Sequence, residues 1–322
     1  MTLPVALTAG DPAGIGPELM VGLLDELRHS SADPVVVISS RAELAAGVRR
    51  SGIDVTVDDL LGADHVRLVE PDADLPAAVG EVGPEQGRWA LAALERSLEL
   101  HAAGAVGGLV FAPLNKTSLH MAGMSEPDEM RWFESRLDGL HTASEINVTT
   151  TFWTARVTSH VALRDVAALI TPQRVVETIK LLNGLLVASA VDEPRIAVCA
   201  LNPHAGENGL FGDEEITAIA PGVERARAEG IDVSGPFPCD TLFRRGFDGS
   251  FDGIVTMYHD QGQIALKTHA FDGGVTLEAG LSLPICTPAH GTAFDIVGTG
   301  AASLASTRNA YRLARRLASH RG

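Results

Sequence analysis

Cysteine, aromatic residues and positive charge are all scarce in this sequence of 322 residues. Its three cysteines (Cys199, Cys239 and Cys286) form no CxxC pair, which argues against a disulfide-built secreted module. Lysine and arginine number 25 against 41 acidic residues, and the net charge of −16 argues against general affinity for nucleic acid or anionic lipid. We therefore expect small-molecule partners, with no nucleic acid and no membrane.

Long apolar runs are also missing. No uninterrupted apolar stretch reaches about 18 residues, so no transmembrane span is predicted. The N-terminal residues lack the basic and apolar regions of a signal peptide. From these features we expect a soluble cytoplasmic protein.

Several common catalytic signatures are absent as well. No GxSxG elbow and no GxxxxGK[ST] loop occurs, which weakens acyl-transfer and kinase interpretations. The glycine-rich segment near the N-terminus does not have the GxGxxG spacing of a standard Rossmann fingerprint. The chemistry must therefore be sought in other residues.

What the sequence does contain is an alternation of short β-branched runs with longer amphipathic segments. This alternation predicts an α/β fold with mostly parallel sheets and helices on both faces. The predicted strands cover residues 5–8, 35–39, 108–112, 147–153, 195–201 and 253–257. The predicted helices cover residues 17–28, 41–51, 84–101, 171–187, 213–229 (interrupted by Pro221) and 301–321.

The chain length is that of about two domains. A crossing point is predicted near residues 125–128 and a second near residues 271–274. We expect a discontinuous cofactor-side domain made of residues 1–124 and 272–322. Residues 125–271 would form the central metal-binding and dimerisation domain.

The segment GDPAGIGPE (residues 10–18) follows the first predicted strand and opens a helix. Backbone N–H groups at such a place can receive an anion, and Gly14 lies among them. A tight strand–helix turn that needs a flexible backbone explains the glycines equally well. Asp11 is the residue that this simpler interpretation explains least.

Three of the eleven histidines lie at or just after predicted strand ends: His160, His204 and His259. Catalytic groups in parallel α/β sheets gather at the carboxyl ends of strands. Three imidazoles there could form a metal site with positions open for substrate. A lone histidine is more often an ordinary surface or core residue, and the long separations leave that alternative open.

Two other charged residues and one loop are candidates. Asp240 stands before an apolar helix start, either as a helix N-cap or as a catalytic carboxylate. Lys267 ends an apolar run, either with its amine extending to solvent or as a proton donor and acceptor at a metal site. Residues 290–296 (HGTAFDI) suit a nucleoside-binding loop or an ordinary connection to the last helix.

Six motifs follow one another along the chain: GDPAGIGPE (10–18), APLNK (112–116), NPHAGE (202–207), DTLF (240–243), YHDQGQIALK (258–267) and the segment 290–298. In this order they resemble the 4-hydroxythreonine-4-phosphate dehydrogenase family, known as PdxA, nearly end to end. The resemblance implies a two-domain fold like that of isopropylmalate and isocitrate dehydrogenases, and a homodimer. It also implies NAD-dependent oxidation of a secondary alcohol β to a carboxylate, followed by loss of CO₂.

By this resemblance a divalent metal is held by His160, His204 and His259, with the third ligand from the partner subunit. Zinc suits three histidines best, and magnesium, manganese, cobalt or nickel can occupy such sites. Asp240 and Lys267 match family positions that face the substrate. The active site would then lie at the dimer interface.

The same resemblance implies an NAD site. The loop containing His290, Gly291, Thr292 and Asp295 is similar to the adenosine-binding loop of the wider fold, and Gly14 lies in the other glycine-rich loop. A carboxylate at Asp295 could accept hydrogen bonds from the ribose hydroxyls, which would favour NAD over NADP.

Departures from the family pattern bear on the substrate. The family's Gly-His-Thr-Glu run aligns with residues 126–129, so that Asp128 replaces a hydroxyl. Thr276 stands for a family Asn, and Cys286 for a family Arg that is suited to binding phosphate. We therefore expect a non-phosphorylated substrate such as a cis-dihydrodiol carboxylate of the terephthalate dihydrodiol type.

Three alternatives stay open. One is 4-hydroxythreonine-4-phosphate oxidation in vitamin B6 synthesis. Another is oxidation of D-threonate or D-erythronate 4-phosphate. The last, of a different class, is a catalytically silent paralogue that binds a metabolite.

Overall fold

The computed structural model describes residues 3–30, 33–269 and 273–320. It divides the chain into two compact units, unit 1 (residues 1–140 and 275–322) and unit 2 (residues 141–274). The sequence placed the first crossing at 124/125, whereas the structure places it at 140/141. The helix Glu129–Glu134 accounts for the difference, because its buried Phe133 lies 5.8 Å from Phe111 of unit 1. The predicted second crossing, at 271/272, lies outside the described residues.

Unit 1 contains a mostly parallel sheet in the order β3-β2-β1-β4-β11-β10. Neighbouring strands are parallel except for β10 and β11, which run antiparallel. The inner strands β1, β2, β4 and β11 are buried along their whole length, as expected for short apolar strands covered on both faces. The strands are β1 (Val5–Thr8), β2 (Val35–Ile38), β3 (Val66–Val69), β4 (Gly108–Phe111), β10 (Val275–Leu281) and β11 (Ile285–Pro288).

The helices of unit 1 pack against this sheet and against each other. The last helix, α12, contacts β1, β4, β10 and β11. The helices are α1 (Gly16–Ser30), α2 (Arg41–Ser51), α3 (Val57–Leu61), α4 (Pro84–Ala102), α5 (Lys116–Met121), α6 (Glu129–Glu134) and α12 (Ala305–His320).

Unit 2 has its own strand order, β5-β6-β9-β7-β8. Strands β6, β9, β7 and β8 are parallel, and β5 is antiparallel to β6. Four carboxyl ends therefore lie side by side at one edge of this sheet. The strands are β5 (Gly139–Val148, which begins at the end of unit 1), β6 (Trp153–Arg156), β7 (Ile196–Cys199), β8 (Val233–Phe237) and β9 (Gly253–Thr256).

The helices of unit 2 include one with a widened turn. Residues Glu215–Ile219 form a π-helical turn that continues directly into α9. Pro221 explains the widening, because it has no N–H for the carbonyl four residues earlier and its ring would clash with that carbonyl. The helices are α7 (Val166–Leu169), α8 (Pro172–Ala188), α9 (Ala220–Ala228), α10 (Cys239–Phe247) and α11 (His259–His269).

The predicted fold class is confirmed, and one predicted strand is wrong. Residues 147–153 are not one strand, because β5 ends at Val148 and β6 begins at Trp153. Between them the Thr149 hydroxyl donates to the Phe152 carbonyl at 2.7 Å and closes a turn. Within the described residues, none of the helices is both long enough and apolar enough to cross a membrane.

Candidate active site

Two of the three candidate histidines lie together at the carboxyl ends of adjacent strands. Strands β6 and β9 end in register, and beyond them the Thr158 N–H donates to the Met257 carbonyl at 3.1 Å. The two segments therefore continue side by side into His160 and His259. The centroids of these two imidazole rings are 5.8 Å apart. We call His160 and His259 the histidine pair.

The ring of His259 is oriented by its neighbour in the chain. Its Nδ1 lies 2.7 Å from Oδ1 of Asp260. A carboxylate at this distance favours the proton on Nδ1 and leaves the Nε2 lone pair available to a metal. His160 has a left-handed backbone (φ 46°), a conformation that non-glycine residues adopt mainly where the surrounding structure demands it.

A hydrogen-bonded network of polar side chains connects the two elements that carry the histidine pair. The buried guanidinium of Arg156 forms an ion pair with Glu145 and donates to Ser159 Oγ (2.9 Å) and Asn147 Oδ1 (3.2 Å). Gln263, on the same helix as His259, donates to Asn147 Oδ1 at 2.6 Å. Both elements that carry the histidine pair are thus tied to one hydrogen-bonded core.

The third candidate, His204, lies in the loop after β7. Residues 204–208 all have positive φ, and only Gly206 among them is a glycine. Left-handed backbone costs roughly 1–2 kcal/mol for each non-glycine residue. The ring of His204 faces Phe211, with centroids 6.4 Å apart. Over the described ranges, no three His, Cys, Asp or Glu side chains converge to hold a metal ion.

The two candidate proton-transfer residues are exposed. Asp240 lies in the first turn of α10, just after the carboxyl end of β8. The N-cap of that helix is Pro238, so the N-cap interpretation of Asp240 is wrong. Lys267 lies on α11, eight residues after His259, which is about 12 Å along a helix.

In unit 1 the two candidate cofactor loops contact each other. The Ile15 N–H donates to the Thr292 carbonyl at 3.0 Å, and a Cβ on Gly14 would lie 2.8 Å from the same oxygen. Gly14 is therefore a glycine because the second loop passes directly over it. His290 and Gly291 contact each other through Nδ1 and the carbonyl (3.1 Å), and Asp295 is exposed in a short 3₁₀ turn.

Asp11, in the first of these loops, is almost fully buried. Its Oδ1 accepts a hydrogen bond from the Ala13 N–H at 2.9 Å. Burial raises the pKa of this carboxyl to about 6, although the bonds from Ala13 and Ser118 act in the opposite direction. The carboxylate therefore shapes the turn from inside rather than facing solvent.

The three residues expected to alter the substrate specificity are Asp128, Thr276 and Cys286, and the structure shows what each of them contacts. Asp128 is buried, and its side chain accepts a hydrogen bond from the Arg131 N–H (2.9 Å) as the N-cap of α6. Cys286 is fully buried in β11, between β4 and β10. Thr276 lies half-buried in β10, opposite Thr287.

Comparison with known proteins identifies the family. The sequence profile described as "Pyridoxal phosphate biosynthetic protein PdxA" matches residues 30–314. The chain belongs to the PdxA family. Membership identifies an enzyme, a dehydrogenase acting on CH–OH groups, as the sequence predicted.

Relatives and solved structures in the PdxA family match nearly the whole chain. A protein of Pseudomonas aeruginosa named "Putative 4-hydroxythreonine-4-phosphate dehydrogenase 2" is 45% identical, covering 98% of this chain and 97% of its own. A D-threonate 4-phosphate dehydrogenase of Pectobacterium atrosepticum is 38% identical, covering 99% and 100%. The crystal structure of a 4-hydroxythreonine-4-phosphate dehydrogenase from Klebsiella pneumoniae matches with a TM-score of 0.80 at 36% identity, covering 99% of each chain.

These comparisons overturn the expected dihydrodiol substrate. A terephthalate 1,2-cis-dihydrodiol dehydrogenase from Burkholderia xenovorans matches with only 26% identity and a TM-score of 0.69, covering 98% of each chain. The more similar relatives of this PdxA chain are named for phosphorylated acids. The expectation was therefore wrong; it had rested on Asp128, Thr276 and Cys286, and the carboxylate of Asp128 caps a helix. A β-decarboxylating dehydrogenase from Thermococcus kodakarensis (TM-score 0.53, 17% identity, covering 95% of this chain and 80% of its own) shares the fold alone.

Three supporting residues were missed by the sequence analysis. Gln261 accepts from the Met257 N–H and donates to the Ala200 carbonyl, both at 2.7 Å, and so ties the ends of β9 and β7 together. Arg156 and Glu215 are charged residues that the fold buries. For Arg156 and Glu215 the available signal was a charged residue at the end of an apolar strand or inside a helix. That signal points to a supporting role only once the residue is known to be buried.

Proposed function

We propose that this PdxA chain is an NAD-dependent dehydrogenase of a four-carbon hydroxy acid that carries a phosphate on carbon 4. The oxidised product would then lose its carboxylate as CO₂. The observation that carries the proposal is the sequence similarity, over nearly the full length of the chain, to relatives named for two such acids. The two named substrates differ at carbon 2, where one has an amine and the other a hydroxyl.

The histidine pair supports a divalent metal site. Zn–N bonds of about 2.1 Å to two imidazoles place the ring centroids about 5–6 Å apart. The observed 5.8 Å separation fits this, and Asp260 leaves the Nε2 of His259 as the donor atom. His160 and His259 would hold the ion, zinc by preference. When bound, the metal polarises the substrate hydroxyl and stabilises negative charge on its oxygen.

The position of His204 supports a homodimer. Its ring is not grouped with the histidine pair, and we infer that it completes the metal site of a second subunit. The family resemblance had assigned that role to His259, which lies beside His160 here. Exposed apolar side chains flank all three histidine segments, as expected of a protein–protein interface. They are Val161, Leu163, Leu210, Phe211, Ile216 and Ile264.

The remaining residues would bind and move protons. Asp240, at the end of β8, would face the substrate from the same edge of the sheet as the histidine pair. Lys267 would take the proton of the substrate hydroxyl or return one to carbon after CO₂ leaves. NAD would lie on unit 1 against Gly14 and the loop of residues 290–295, with the ribose hydroxyls on Asp295, and would accept the hydride. Such an enzyme would work in the cytoplasm, where NAD is available.

The test is NADH formation at 340 nm with metal-replete protein. The substrates are 4-phosphohydroxy-L-threonine and D-threonate 4-phosphate, each beside its non-phosphorylated form as the matched control. We expect turnover of at least one phosphorylated acid, with a kcat/KM at least about 100-fold above that of its control. In the His259→Ala variant, activity should fall to about 1% or less, because the ligand that Asp260 orients is lost. Equal turnover of phosphorylated and non-phosphorylated acids, or turnover of neither, would refute the proposal.

A further inference from the structure

One buried carboxylate lies behind the loop that carries His204. Glu215 is 4% exposed and begins the π-helical turn. Its Oε1 accepts hydrogen bonds from the N–H groups of Leu201 and Asn202, both at 2.8 Å. Its Oε2 accepts from Nδ2 of Asn202 at 3.0 Å. The carboxylate therefore binds the backbone just before the left-handed turn.

The far side of the loop lies against the same carboxylate. A Cβ on Gly206 would lie 2.7 Å from Oε2 of Glu215 and 2.8 Å from the Gly212 carbonyl. The Phe211 N–H donates to the Gly206 carbonyl at 3.1 Å, which closes the loop. The segment of residues 201–212 thus wraps around one carboxylate.

His204 lies between these two points of attachment. The left-handed backbone of residues 204–208 persists only where the surroundings hold it, and Glu215 contacts both the approach to the turn and its middle residue. Hydrogen bonds to a carboxylate are shorter and stronger than those to a neutral amide. The direction in which the imidazole leaves the backbone therefore depends on this side chain.

We propose that Glu215 is a positioning residue that holds His204 in the geometry needed for metal binding. The inference rests on the proposed function, in which His204 is a metal ligand. Glu215 does not touch the ion or the substrate. It acts through the backbone of Leu201 and Asn202 and through the space left by Gly206.

The test is the affinity of the full-length, chelator-stripped protein for Zn²⁺ and Co²⁺, measured by competition with a chromophoric chelator. Glu215→Gln keeps the shape but removes the charge, and it places an amide nitrogen against the Asn202 side-chain nitrogen. We expect metal affinity to fall by about 10–100-fold, the range typical of groups that orient a ligand. The matched control is Glu214→Gln, whose carboxylate accepts from the Asn202 side chain (2.6 Å) but from neither backbone N–H group, and which should change affinity less than threefold.

A double-mutant cycle separates positioning from general damage to the fold. If Glu215 acts through His204, adding Glu215→Gln to His204→Ala should change metal affinity less than twofold. A tenfold loss in both backgrounds, or wild-type affinity in folded Glu215→Gln, would overturn the inference. Should Glu215→Gln fail to fold, Glu215→Asp replaces it in the same measurements. This variant keeps the charge, but its side chain is one methylene shorter, so the carboxylate is drawn away from the N–H groups of Leu201 and Asn202. Undiminished metal binding in His204→Ala would instead refute the ligand role of His204, which belongs to the proposed function.

Discussion

At the scale of single residues, the contact between His259 and Asp260 is the most informative for chemistry. The carboxylate lies 2.7 Å from Nδ1 and is itself exposed to solvent. The contact therefore adds little to stability, since solvent competes for both of its partners. Its consequence is the choice of ring nitrogen that remains free to bind a metal.

Asp260→Asn should therefore weaken metal binding without unfolding the chain. The amide is a weaker acceptor for the Nδ1 proton, and we expect a loss of about 10–100-fold in metal affinity. Chelator competition measures the affinity, and circular dichroism checks the fold. Asp192→Asn, an exposed aspartate in the loop before β7, is the matched control and should leave the affinity unchanged. An unaltered affinity in Asp260→Asn would show that the carboxylate does not select the ring nitrogen.

Glu43 differs from Asp260 in that its carboxyl group is fully buried, in unit 1. It accepts hydrogen bonds from Ser39 Oγ (2.6 Å) and Trp89 Nε1 (2.9 Å). Burial raises its pKa from 4.5 to about 7, with Asp11 adding to the rise and the hydrogen bonds and Arg50 opposing it. The folded protein thus binds this proton more tightly than the unfolded chain does.

The stability of the protein should reflect that difference. The contribution of Glu43 is complete below about pH 4.5 and is lost as the pH rises to about 7, a loss on the order of 3 kcal/mol. Glu43→Gln should remove this loss, so that its stability relative to wild type grows between pH 5 and pH 8. Urea unfolding at several pH values measures this. Glu95→Gln, at an exposed position on α4, is the control, and its stability relative to wild type should not change with pH. If Glu43→Gln had the same pH dependence of stability as wild type, the raised pKa of Glu43 would be contradicted.

At the scale of elements, the packing of α1 against α2 depends on the absence of one side chain. A Cβ on Gly47 would lie 2.4 Å from the Pro17 carbonyl and 2.8 Å from Val21 Cγ2. Gly184, in the second half of α8, is exposed, and a Cβ there would meet nothing within 4 Å. The two glycines occupy similar positions in their helices but very different surroundings.

Gly→Ala substitutions at these two positions should therefore change the free energy of unfolding in opposite directions. Gly47→Ala should destabilise the protein by about 1–3 kcal/mol or more, because backbone must move to admit the methyl group. Gly184→Ala should stabilise it by up to about 1 kcal/mol, because alanine favours the helix and meets no obstacle. Thermal unfolding of both variants provides the comparison. A stabilised Gly47→Ala protein would contradict the described helix packing.

Comparing the predicted helices and strands with the observed ones shows how much of the fold the sequence alone could predict. Helix α2 was predicted at its observed bounds, and in the structure a capping serine and a left-handed glycine mark its two ends. The run of β-branched residues 147–153 predicted a strand, but Thr149 uses its hydroxyl to close a turn, a choice that composition does not reveal. The antiparallel strands β10 and β11 were also missed; β11 pairs on its other side with β4, far earlier in the chain, which a local pattern does not reveal.

The site divides in the same way. The position of His160 and His259 at strand ends followed from the alternation of strands and helices, and the structure places their rings together. The burial of Asp128 and of Glu215 depends on which distant residues enclose them, which one sequence does not specify. An acidic residue in an aligned position was therefore misinterpreted as a change of substrate.

At the scale of the whole molecule, the exposed apolar side chains of unit 2 make the clearest prediction. Leu210 and Ile216 are 73% and 57% exposed and flank the His204 loop. Light scattering should give wild-type protein twice the chain mass of 33.8 kDa. The double substitution Leu210→Asp with Ile216→Asp should give a monomer that binds metal more weakly, because His204 would be missing from each site. Val187→Asp, on α8, is the exposed apolar control, and a monomeric wild-type protein with full metal affinity would contradict the shared site.

The discontinuity of unit 1 also sets an order of events during protein synthesis. Strand β11 lies between β4 and β10, so the sheet of unit 1 lacks an inner strand until residues 285–288 have left the ribosome. Unit 2 is a single stretch of residues 141–274 and is complete earlier. In the nascent chain the N–H and C=O groups on one edge of β4 would therefore stay unpaired while residues 141–274 are synthesised and fold.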